Sequence, residues 1–200
     1  MATNRRIGAE DSATRSALLD AALQLMIEDG YAAVTSRRVA ARADLKPQLV
    51  HYYFRTMDDL FVALVRRGAE QNLERQAAAL ASPRPLHALW EFNNDAIGAK
   101  MAMELSALAN HRKAIRTELG TYAEQFRRLQ REGLATALEA SAIDTDAVSP
   151  DVILFLMTAV PQVLVMEEAL DVSSGHDDTR ALIELLLDRY EPEPAPADGE

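Results

Sequence analysis

Two hundred residues, 48% of them hydrophobic, suffice for one large domain or two small ones around a packed core. The lack of cysteine excludes a disulfide framework and thiolate metal sites, and it fits a reducing compartment. A formal charge of −10 argues against a nucleic-acid protein until it is resolved along the chain: residues 1–60 balance eight cations against eight anions, so all the acidity belongs to residues 61–200. Within 35–55, Arg37, Arg38, Arg42, Lys46 and Arg55 stand against Asp44 alone, a small cationic patch on an acidic body.

In chain order, the start MATNRRIGAEDSATR lacks the apolar run of a signal peptide, so a cytoplasmic location is expected. Residues 1–10 read as a flexible arm from which Arg5 and Arg6 can reach a minor groove. Helical periodicity dominates and β-type alternation is not sustained, which makes the chain all-α with about nine helices. Asp11 or Ser12 caps a first helix whose inner stripe is Leu18, Ala22, Leu25 and Met26 and which stops at Gly30. Thr35 and Ser36 are N-caps for a short helix over 37–43 that turns Val39 and Ala40 inward. ADLK makes a turn, and Pro47 opens a third helix at the position that tolerates a missing N–H. Thr56 followed by Asp59 is a capping pattern for a long fourth helix, with Leu60, Phe61, Leu64 and Val65 on its inner face.

Beyond the break at ASPRP, helices are expected over 86–97, 99–109, 112–140, 150–170 and 177–190. The apolar run 152–166, interrupted by Thr158, Pro161 and Gln162, is too short to span a bilayer. It reads as a helix covered on all sides and kinked at Pro161, and a membrane partner is not expected. The tail EPEPAPADGE, 191–200, is acidic and proline-rich with nothing to bury, and is expected to be disordered.

Short helix, tight turn, short helix, with cations at the caps, is the layout of a helix-turn-helix, whose second helix enters the DNA major groove. At 100° per residue Val50 and Phe54 share the inner face of the third helix, with Leu45 and Tyr53 at its edges. Gln48, Leu49, His51 and Tyr52 point elsewhere. Gln48 can pair with an adenine edge, Leu49 can pack on a thymine methyl, and His51 and Tyr52 can donate to phosphates or base edges. Ser36 and Arg37 lie at a helix N-terminus, where phosphate is favoured.

The stretch TRSALLDAALQLMIEDGYAAVTSRRVAARADLKPQLVHYYFRTMDDLFVAL resembles the N-terminal DNA-binding domain of the TetR family of transcriptional repressors. The resemblance rests on the LLDAAL helix ending in Gly30-Tyr31, on VTSRRVAARA as supporting helix, and on a recognition helix closing in Tyr-Phe. It implies that Ser36, Arg37, Pro47, Gln48, Leu49, His51, Tyr52 and Tyr53 contact DNA; Thr35, Arg38, Lys46 and Arg55 complete the candidate interface. The chain departs from the family's usual residues at Asp44, often glycine, and at Met57, often lysine; Arg55 or Lys46 can compensate for the second.

The same resemblance divides the chain into a helix-turn-helix domain at 11–57 and a ligand-sensing and dimerisation domain at 58–190. It implies a homodimer that binds a palindromic operator and is released by a small molecule, with the fourth helix carrying the change to the reading heads. The helices 150–170 and 177–190, the latter with Leu182, Leu185, Leu186 and Tyr190, are the expected dimer interface. An adaptable apolar cavity can be lined by Trp90, Met103, Tyr122, Phe126, Met157 and Met166, with Asn93, Asn94, His111 and Gln162 as orienting polar groups; plain core is the alternative. A helix-turn-helix regulator controlled by a protein partner, or by nothing, also stays open. Catalysis is not expected, nor a cofactor or metal: glycine-rich phosphate loops, HExxH and nucleophile motifs are missing. The pairs Glu167-Glu168 and Asp177-Asp178 point about 100° apart in a helix.

Overall fold

The computed structural model describes residues 13–139 and 149–192; the arm 1–10, the caps Asp11 and Ser12, and residues 193–200 of the tail lie outside them. Among the described residues there are nine α-helices and no strand. They are α1 (Ala13–Asp29), α2 (Ser36–Arg42), α3 (Pro47–Tyr53), α4 (Met57–Leu80), α5 (Pro85–Asn93), α6 (Ala96–His111), α7 (Lys113–Glu139), α8 (Pro150–Glu168) and α9 (His176–Tyr190), with a 3-10 turn at Tyr31–Ala33. The described residues divide into two compact units, 13–71 with 100–123 and 72–99 with 124–139 and 149–192.

The first unit is organised by α1. Leu18, Ala22, Leu25 and Met26 repeat at helical spacing and are 0–2% exposed, meeting Val39 and Ala40 of α2, Val50 of α3, Phe54, and Leu60, Phe61 and Leu64 of α4. Leu108 and Ile115, from α6 and α7, close the same core. Each of these large side chains contributes roughly 1.5–3 kcal/mol by leaving water. At Gly30 φ is +80° and the N–H donates to Met26 O at 3.1 Å, ending α1 in a left-handed residue. A Cβ there would also lie 3.3 Å from Glu104 Oε2, so both conformation and space favour glycine.

Two helix boundaries differ from the sequence expectation. A single helix was expected over 86–97, yet α5 ends at Asn93 and α6 begins at Ala96. Asn94 Nδ2 turns back to donate to Trp90 O at 3.0 Å, and Asp95 Oδ1 accepts from Ile97 N at 3.2 Å, so these two side chains end one helix and cap the next. α6 then runs on to His111, past the expected end at 109.

The second unit packs Leu86, Leu89 and Trp90 of α5 on Leu134 of α7, Leu154 and Met157 of α8, and Leu187 of α9. Ser149 caps α8 by accepting from Val152 N at 3.4 Å, and Pro150 occupies the first turn. Pro161 lies inside α8 and is buried. Within the single chain this helix is covered on one side. One stripe, Leu154, Met157, Pro161 and Leu164, is buried, while Val152, Phe155, Leu156, Val163 and Met166 are exposed. Among the described residues the chain covers one face of α8 and leaves the residues opposite largely exposed. α8 also has the length and mean hydropathy of a membrane-crossing helix, a property that bundle helices share.

Both ends of α9 are fastened. At its start the buried His176 places Nε2 2.8 Å from Glu167 Oε2, and Arg180 pairs with Glu168 at 2.5 Å. At its end the Glu191 carboxylate accepts from Leu86 N at 3.0 Å and His87 N at 2.9 Å, capping α5 from 105 residues away in sequence. Asp188 receives His87 Nε2 at 3.1 Å and Arg84 at 2.8 Å, which hold its carboxyl below the usual range.

Candidate nucleic-acid interface

The reading head is built locally. Thr35 Oγ1 accepts from Arg38 N at 3.3 Å as the N-cap of α2. After Ala43 the chain reverses through Asp44, whose φ is +54°, and Leu45 N donates to Ala40 O at 2.8 Å. This explains why glycine suits the position, and why aspartate is among the few side chains that tolerate it. Pro47 opens α3, and a reciprocal capping box opens α4: Thr56 N donates to Asp59 Oδ2 at 3.0 Å, and Asp59 N to Thr56 Oγ1 at 3.1 Å. Met57 is half-buried against the core, so the side chain in the family's lysine position packs inward.

On α3, Val50 is 1% exposed and Phe54, at its end, 2%; the Arg15 guanidinium lies 5.2 Å from the Phe54 ring and covers its outer side. With that face locked, Gln48, His51 and Tyr52 are turned to solvent, Tyr52 with 48% of its surface. Tyr53 is half-buried and braces Tyr52 edge-on, ring centroids 5.0 Å apart. Leu49, expected as an exposed leucine, is half-buried on a seven-residue helix that packs against α2. Thr35, Arg37, Arg38, Lys46, Pro47 and Arg55 are exposed and Ser36 is half-buried, so the cationic residues ring the exposed side of α2 and α3.

Several residues that shape this surface escaped the sequence reading. Asp29 takes Arg38 at 2.5 Å and Glu28 takes Arg42 at 2.6 Å. The Arg42 guanidinium holds the Glu28 carboxyl below its ordinary range, and Glu28 in turn pushes Arg42 up. Their signal was present in the sequence, as two acids at a helix C-terminus. Glu104 of α6 accepts from Tyr31 N at 2.7 Å and so caps the 3-10 turn between α1 and α2. Arg112 pairs with Asp58 at the start of α4, and Arg66 with Glu118 at 2.6 Å. These links tie α6 and α7 to the head within the first unit.

The ten residues expected to line an effector cavity are shared between the two units, three in the first and seven in the second. Met103, His111 and Tyr122 belong to the first unit, with His111 exposed at the end of α6. Trp90, Asn93, Asn94, Phe126, Met157, Gln162 and Met166 belong to the second; Trp90 and Met157 are core residues, Asn94 is tied to the backbone, and Met166 is exposed. Clefts of about 600 and 290 Å³ open in the first unit, over Val62 and Arg66 and over Met57 and Leu108 respectively, and neither includes any of the ten.

A three-helix head whose third helix buries one face and offers polar and aromatic side chains on the other, ringed by cations, defines a helix-turn-helix DNA-binding protein. Residues 18–64 match the family described as bacterial regulatory proteins, tetR family. An HTH-type transcriptional regulator from the dhlA 5′ region of Xanthobacter autotrophicus is 28% identical over 181 residues, covering 84% of this chain and 88% of its own. The HTH-type transcriptional repressor BepR of Brucella suis is 32% identical over 87 residues, 42% of each chain. Among solved structures, a transcriptional regulator from Saccharomonospora viridis in complex with choline has the same fold, with TM-score 0.72, 18% identity, and cover of 87% of this chain and 95% of that one. In its head, residues 18–64, the chain is similar to the DNA-binding domain of tetR-family transcriptional regulators.

Proposed function

We propose that the protein is a homodimeric repressor that binds a palindromic operator through α3 and is released by a small-molecule effector. The observation that carries this reading is α3 itself. Val50 and Phe54 fix the helix in the head, while Gln48, His51 and Tyr52 stand out with donors and acceptors that suit base edges, and Arg37, Lys46 and Arg55 lie at the flanks for phosphates. Palindromy follows from pairing two heads. The second copy is suggested by the apolar residues left uncovered on α8 and α9, Phe155 at 60%, Leu182 at 57% and Leu185 at 62% exposure. Repression is supported by the repressor relative from Brucella suis, and effector control by the choline complex of the Saccharomonospora viridis structure. The test combines sedimentation of the full chain with a mobility shift on DNA upstream of its own gene. A dimer giving a sequence-specific shift is expected, and loss of that shift on adding an effector found by thermal-shift screening completes the reading. A folded dimer with no specific shift at modest salt overturns it.

A further inference from the structure

Two carboxylates at the C-terminus of α1 are out of place by the rules that stabilise helices. The last turn of a helix carries partial negative charge, so Glu28 and Asp29 there disfavour α1, and no basic residue shares that turn. What they meet instead is the first helix of the helix-turn-helix, the one that crosses the phosphate backbone in such folds. Arg38 and Arg42 are four residues apart, so they share one side of α2. Asp29 takes Arg38 at 2.5 Å and Glu28 takes Arg42 at 2.6 Å. The four charges form one cluster, with Arg38 also acting on Glu28 and Asp29 on Arg42. All four side chains remain 32–54% exposed, so the pairs are open to competition by another anion, and pairs so exposed add little to folding. Of the five cations between residues 35 and 55, Arg37, Lys46 and Arg55 have no carboxylate partner among the described residues, while two are already engaged.

We infer that Glu28 and Asp29 are internal counter-ions of the DNA-binding head, occupying Arg38 and Arg42 where phosphates would otherwise sit and so holding down sequence-independent affinity for DNA. The inference rests on the chain being a DNA-binding regulator. Affinity for any duplex scales with the number of phosphates neutralised, whereas base readout does not. Masking two cations per head therefore lowers non-specific binding more than specific binding, and makes operator recognition lean on Gln48, His51 and Tyr52.

The test compares the full-length protein with its Glu28→Gln/Asp29→Asn variant on a short duplex of arbitrary sequence and on the DNA upstream of its gene, between about 50 and 200 mM salt. A control variant, Glu91→Gln/Glu132→Gln, makes the same change in net charge at exposed acids of α5 and α7. The double head variant is expected to bind arbitrary duplex at least tenfold more tightly at the low-salt end. It should also steepen the slope of log affinity against log salt by about 0.9 for each cation freed, and narrow the ratio of specific to non-specific affinity. Unchanged thermal midpoints establish that the fold is intact. Should the slope stay at the wild-type value, or move only as far as it does in the control, Glu28 and Asp29 are ordinary surface acids and the inference fails while the regulator reading stands. If neither wild type nor variant binds any duplex, both fail together.

Discussion

Asp44 is where the residue scale decides the geometry of the head. Its φ of +54° lies in the left-handed region, in the turn between α2 and α3. Aspartate pays part of the roughly 1–2 kcal/mol that an L side chain loses there, and a β-branched residue pays all of it. Asp44→Gly relieves that strain but loosens the unfolded chain, a cost of about 0.4–1 kcal/mol, so its stability should stay within about 1 kcal/mol of wild type. Asp44→Val should lose about 1–2 kcal/mol. Urea denaturation of the three proteins checks both; a valine variant as stable as wild type would mean that the turn is not held at this φ. The inner face of α3 was legible from spacing alone, because Val50 and Phe54 answer to helical period and nothing else. So was the Thr56–Asp59 capping box, whose two partners are three residues apart. Leu49 was less legible, since its exposure depends on how closely a short helix is seated by its neighbours.

Elements are joined by side chains that no local pattern could have announced. Glu104 reaches Tyr31 N–H across 73 residues and sits against Gly30, so that α6 caps the turn leading into α2. A charge-assisted hydrogen bond of this kind contributes about 1.5–3 kcal/mol. Glu104→Ala should therefore lower the stability of the full chain by that amount, and Glu104→Gln, which keeps an acceptor, by less. Equal losses in the two variants would show that the carboxylate charge alone matters. Within the second unit, α9 and α5 are fastened through Asp188, His87, Arg84 and Glu191. The Asp188 carboxyl is held low by His87 and then by Arg84. A group whose folded pKa is depressed stabilises above its unfolded value, about 3.9, and that contribution is lost as pH falls through the folded value. The difference in denaturation midpoint between wild type and Asp188→Asn should thus be largest near neutral pH and shrink below about pH 4; a difference that grows on acidification contradicts the assignment.

At the scale of the whole molecule, an all-α chain with a helix-turn-helix at its start was readable because each helix carries its own stripe and stops. The covering of α8 was not. A sequence apolar on all sides implies that something covers it, without saying whether the cover comes from the same chain. In the structure, Leu154, Met157 and Leu164 are buried by the chain itself, while Phe155 and Leu156 on α8, with Leu182 and Leu185 on α9, are left exposed. If a second copy buries them, placing a charge in that surface should act on assembly and not on the chain's own core. Leu185→Glu, 62% exposed in the single chain, is expected to leave the helix content unchanged and to shift sedimentation from dimer to monomer. A monomer presents one head, so it loses the linked second contact, and affinity for a full palindromic site should fall toward that for a half-site. Circular dichroism, sedimentation velocity and titration of full and half sites together distinguish this from unfolding. A Leu185→Glu protein that remains a dimer places the interface elsewhere on the chain.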